Sequence, residues 1–190
     1  MSDAYTVLQC FGERGVPVAG MGASPLVSGV DSWIKGLPIL EPVERPIVME
    51  LDPEEPGTLL DLYQLDVLIM SRRLVDALVE AGVDNLQVFD LVLIDPPTGT
   101  RIDTHRLVNI VGAVACADMS RSKVVGTRGP AMMDVDFDSL AIDESRAAGF
   151  LLFRLAECLT AIVVHDRVRR HLVARGFTSL TFQPPAEFVG

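Results

Sequence analysis

The sequence predicts an α+β fold: a mixed, largely antiparallel sheet with short helices, containing two similar strand–helix–strand units. One observation is internal. IMSRRLVDALVEAGVDNLQV (69–88) aligns with VVHDRVRRHLVARGFTSLTF (163–182) at a constant offset of 94, with five of twenty positions identical: Arg73/Arg167, Leu78/Leu172, Val79/Val173, Gly82/Gly176 and Leu86/Leu180. The other is the chain between the copies, where β-branched apolar runs and strict alternation read as strands.

Taken in order, residues 15–46 are cut by five glycines (15, 20, 22, 29, 36) and five prolines (17, 25, 38, 42, 46), so no long element fits there. Trp33 reads as the anchor that packs this arm onto a core. PIVMEL (46–51) reads as a short strand, and DPEEPG (52–57) as an acidic turn. In the first repeat, 67–70 is a strand and Ser71 a helix cap. Leu74, Leu78 and Val79 form the apolar side of a short helix, and Gly82 closes it in a left-handed conformation. LQVFDLVLI is the second strand and DPPTGT (95–100) a turn. VNIVGAVACAD (108–118) reads as one central strand, and KVVG and MDVDFDSL as further strands. GFLLFRLAECLTAIVV (149–164) is long enough for a buried helix. The repeat and a break at Leu159-Thr160 favour a hairpin, with Phe150, Leu152 and Arg154 on one face. In the second copy Asp166 is the expected cap, followed by Val168, Leu172, Val173 and the closing Gly176.

A chain of 190 residues is expected to form one domain, a loop-rich arm over about 1–65 packed on an α+β core over about 66–190. A mean hydropathy of +0.34 argues against disorder. No apolar run approaches 18 residues, and the N-terminal segment lacks a signal-peptide pattern, so neither membrane nor leader is expected. Cys10, Cys116 and Cys158 are far apart and set among apolar residues. They read as small buried hydrophobes in a reducing cytoplasm.

Sixteen Lys and Arg against 26 Asp and Glu give a net charge of −10. Such a chain is repelled by nucleic acid and anionic lipid and attracted to basic proteins. Residues 41–66 hold eight acids against one base, Arg45. Asp52, Glu54 and Glu55 on the acidic turn are therefore candidate partner-binding residues. A second acidic group is MMDVDFDSLAIDES (132–145). Asp134, Asp136 and Asp138 start like a calcium loop, but Ser139 and Ser145 stand where that loop needs Gly and Glu. The alternation with Val135 and Phe137 reads first as a half-buried strand with a solvated acidic face. An acidic stripe facing a partner comes next, and a metal site last.

No catalytic constellation stands out. His165-Asp166 spells a metal-phosphohydrolase dyad but lies at a strand-to-helix junction, where polar residues cap. GMGAS (20–24) follows no strand and precedes no Walker lysine, and no C-x-x-C or G-x-S-x-G occurs. No catalytic residue, cofactor or metal is assigned, and the chain is expected not to be an enzyme.

SRRLVDALVEAGVDNLQVF, DPPTGT, VNIVGAV, VDFDSLAIDES, LLFRLAE and IVVHDRVRRHL, in that order over about 66–188, resemble a bacterial polymorphic-toxin immunity family of the type abundant in myxobacteria, first described as a domain of unknown function. The resemblance implies a non-catalytic cytoplasmic protein that binds and neutralises a cognate toxin, often a small basic nuclease. Alternatives from other classes are a metal-dependent hydrolase using the 134–144 carboxylates and His165, and an adaptor that carries an effector without inhibiting it. The sequence does not fix the oligomeric state.

Overall fold

The computed structural model describes residues 4–25, 27, 30, 32–127 and 135–190. Its strands are β1 (Tyr5–Cys10), β2 (Ile47–Glu50), β3 (Leu62–Gln64), β4 (Leu68–Ser71), β5 (Leu86–Asp95), β6 (Thr100–Ile102), β7 (His105–Ile110), β8 (Ala113–Val114), β9 (Lys123–Thr127), β10 (Val135–Ser139), β11 (Leu152–Leu155), β12 (Cys158–His165) and β13 (Leu180–Gln183). Helix α1 (Arg72–Glu80) follows β4, α2 (Glu144–Ala147) follows β10, and α3 (Asp166–Ala174) follows β12. The fold is α+β. One sheet runs β2-β5-β7-β4-β3 with β6 on β5, a second runs β13-β1-β12-β11-β8, and β9 and β10 pair separately. Only β2–β5 and β8–β11 are parallel pairs among the described residues.

The repeat is real, and larger than the 94-residue offset suggests. Both helices span matching positions, 72–80 and 166–174. Both end in the same pair of bonds. The N–H groups of Val83 and Phe177 reach back to the carbonyls of Leu78 and Leu172, across Gly82 at φ 96° and Gly176 at φ 78°. In each unit a strand from elsewhere in the chain separates the two parallel strands. β7 lies antiparallel between β4 and β5, and β1 lies antiparallel between β12 and β13. The registers match: Ser71 opposes His105 and His165 opposes Tyr5, while Leu86 opposes Ile110 and Leu180 opposes Cys10. Each unit also begins with a hairpin partner, β3 or β11. The middle strand follows its unit in one copy and precedes everything in the other.

The two units share one core. Leu74, Leu78, Val168 and Leu172 of the helices pack with Leu68, Met70 and Val108 of one sheet and Leu8, Ile162 and Val164 of the other. Arg73 lies over the Phe177 ring, 4.2 Å from its centroid, and a Cβ on Gly82 would stand 3.4 Å from the Arg167 guanidinium. Each repeated arginine thus reaches the closed end of the other unit's helix, where a cation suits the helix dipole. The arm covers the far side of the first sheet, with Trp33 edge-on to Phe89 at 5.3 Å. β10 covers the far side of the second, through Val135 and Phe137.

Five local expectations need correction. The 108–118 run is not one strand. Gly112, at φ 132°, ends β7 in the first sheet and lets β8 start in the second. His165 rather than Asp166 caps α3: its Nδ1 accepts from the Arg167 N–H at 3.1 Å, and Asp166 is the first helical residue. The hairpin turns at 156–157, not at Leu159-Thr160. Phe150 precedes β11 and packs edge-on against Phe153, so it does not share a face with Leu152 and Arg154. Val79 and Val173 are 58% and 54% exposed, because a fifth-position residue turns off the face set by Leu78 and Leu172.

Candidate partner-binding surfaces

The acidic turn is a built loop. β2 buries Ile47 and Met49 and leaves Val48 and Glu50 exposed. Beyond it, Asp52 Oδ1 accepts from the Glu54 N–H at 2.8 Å, a turn that aspartate makes with its own backbone. The Gly20 N–H donates to the Glu55 carbonyl at 2.8 Å, and the Asp52 N–H to the Gly20 carbonyl at 3.0 Å. A side chain at Gly20 would strike Glu55, so glycine is required for this approach. Glu54 and Glu55 are exposed and Asp52 is half-buried. Among the described residues none of Glu50, Asp52, Glu54 and Glu55 is in an ion pair, and the one nearby base of the segment, Arg45, lies 5.7 Å from the Phe89 ring centroid instead.

The second acidic group is different. β10 has the expected alternation, Val135 and Phe137 buried and Asp136 half-buried between them. Asp134 lies outside the described residues. Asp138 pairs with the Lys123 ammonium. Asp143 caps α2 and pairs with Arg146 at 3.2 Å; the Ser145 hydroxyl and N–H hold its carboxyl below the usual range. Asp118 is held down to about 2 by Ser120 and Arg121. Cations therefore offset much of the charge on this side, whereas no described cation pairs with the acids of the 50–55 turn. The two candidate groups also lie on different elements, one just beyond β2 of the first sheet and one on β10, whose Val135 and Phe137 pack on the second.

His165 and His105 have structural partners. His165 caps α3 and meets Tyr5 edge-on at 5.1 Å. His105 is buried, with Nε2 2.9 Å from the Leu60 carbonyl and Nδ1 3.0 Å from the Thr104 hydroxyl; burial lowers its pKa. The carbonyl can only accept, so Nε2 carries the proton. Cys116 and Cys158 are buried, and burial pushes the Cys116 thiol up to about 12. Among the described residues no group of three or more His, Cys, Asp or Glu could hold a metal, and no helix is long and apolar enough to cross a membrane.

One feature gave no sequence signal: a cavity of about 450 Å³, lined by 7–11, 60, 62–65, 160–161 and 188–190. Four separate segments assemble it, so no local pattern marks it. Every lining side chain is uncharged.

A model described as an immunity protein family (Imm11) matches residues 20–187 of this chain. The match takes in most of the arm, which the resemblance over 66–188 did not reach. No curated protein matches the chain.

Proposed function

We propose that this chain, which belongs to the Imm11 immunity protein family, binds a cognate protein toxin in the cytoplasm and holds it inactive without catalysing a reaction. The family match carries the reading. An immunity protein needs a stable scaffold and a surface complementary to its toxin, and no active site. The toxin is a basic protein, as befits a nuclease, whose phosphate-binding surface attracts acids. The uncompensated Glu50, Asp52, Glu54 and Glu55 favour the 50–55 turn over the 134–138 stripe as the first surface met. Exposed charges of this kind act mainly on the association rate.

Neutralising Asp52, Glu54 and Glu55 together tests the surface. Association with the cognate toxin should slow about tenfold at low salt, and its salt dependence should flatten. Neutralising Asp136 and Asp138 should change the rate less. Equal rates for the parent and the turn variant at low and physiological salt would remove the turn from the interface.

A further inference from the structure

The two units differ at one edge. In the second unit the outer edge of β11 is filled, since Ala113 and Val114 of β8 lie parallel to Arg154 and Leu155. The Arg154 N–H donates to the Gly112 carbonyl at 3.1 Å, and the Ala156 N–H to Val114 at 3.0 Å. Register fixes the equivalent positions in the first unit. Leu62 opposes Met70 as Leu152 opposes Val164, so Gln64 corresponds to Arg154 and Leu65 to Leu155. Among the described residues no strand lies on that side of β3. Burial follows the difference: Arg154 and Leu155 are 2% and 0% exposed, whereas Leu65 is 44% exposed. The Ser71 N–H bonds the Asp61 carbonyl, and the Leu65 N–H that of Val67. In an antiparallel pair bonded and unbonded positions alternate, so Leu62 and Gln64 turn their N–H and C=O groups away from β4.

The 450 Å³ cavity, with its uncharged lining side chains, lies along this edge, and Phe11 and Val189 in its lining are 67% and 66% exposed. Glu13 and Asp66 follow closely on the lining residues Phe11 and Leu65; both are exposed, and neither is in an ion pair among the described residues. The complementary occupant has an apolar centre and cationic flanks. β8 shows that two residues suffice to fill the equivalent edge.

We infer that the outer edge of β3 accepts a short extended segment of the toxin as an added parallel strand. Its apolar residues enter the cavity and flanking Lys or Arg face Glu13 and Asp66. This rests on the toxin-binding function proposed above. Main-chain bonds to Leu62 and Gln64 supply attachment, and the cavity selects side chains.

Gln64→Pro tests the pairing. It removes an outward N–H, while the bonds to β4 belong to neighbouring positions, which an edge strand tolerates. With the cognate toxin inactivated by mutation, Gln64→Pro and Leu65→Lys should each weaken binding at least tenfold. In the parent complex the Gln64 amide should become protected from hydrogen exchange. If Gln64→Pro unfolds, Leu65→Lys and the exchange measurement decide. Binding within twofold of the parent, with the Gln64 amide still exchanging, would overturn the inference. So would a dimer of this chain that Gln64→Pro dissolves while toxin binding is unchanged, since the occupant is then a second copy. If the parent itself does not bind the toxin, the proposed function fails first.

Discussion

Leu78→Ala and Leu172→Ala should be the most informative stability perturbations, because the two side chains occupy equivalent places in the shared core and both are 0% exposed. Each substitution removes three carbons. At about 0.8 kcal/mol per buried methylene the transfer loss is roughly 2.4 kcal/mol. The cavity left between two sheets and two helices raises the total to about 3–5 kcal/mol. Val79→Ala and Val173→Ala are the matched controls. They lie one residue further along the same helices, are more than half exposed, and should cost under about 0.5 kcal/mol. Urea unfolding reads the difference as a lower midpoint with unchanged slope. The core pair act on one packed cluster, so the double variant should depart from additivity by more than about 0.5 kcal/mol. A cost below about 1 kcal/mol at Leu78, or equal costs at Leu78 and Val79, would refute the two-unit packing.

Gly176→Ala should cost about 1–2 kcal/mol in thermal or urea unfolding, purely from its left-handed backbone, since a Cβ there meets nothing within 4 Å. Arg154 is buried with Nε and Nη2 unpartnered and its pKa pushed down to about 10 by burial; Arg154→Met should stay within about 1 kcal/mol of the parent or exceed it, and a loss above about 2 kcal/mol would contradict this. His105 keeps a lowered pKa when folded, so the unfolded chain takes up its proton first. Its contribution is present above about pH 6.5 and is lost as pH falls toward the folded value. The fall in unfolding midpoint between pH 7.5 and 5.5 should therefore be smaller in His105→Asn than in the parent.

Much of the architecture was legible because one helix pattern occurs twice. The Ser71 cap, the closing glycines and the leucines at 78 and 172 are local signals, and local physics acts on them directly. The middle strands were not legible as a pair. YTVLQC and HRLVNI share no identity at matching positions, and one precedes its unit while the other follows. The 108–118 run is not legible as two strands because hydrophobicity alone does not show that Gly112 carries the chain between sheets. Composition located the acidic turn, but charge counting could not separate it from the 134–138 stripe. The difference lies in where Lys123, Arg146 and Arg121 fall in space. The β3 edge depends on a comparison between the units that only the pairing registers provide.

The most direct test titrates purified chain into its cognate toxin and follows both binding heat and toxin activity. Toxin activity should fall in proportion to chain added and reach its floor at the stoichiometry that the binding heat reports. Loss of activity at far below stoichiometric chain would mean turnover, and the protein would be an enzyme. Tight binding with toxin activity intact would make it a carrier, and either result would contradict neutralisation by occupancy.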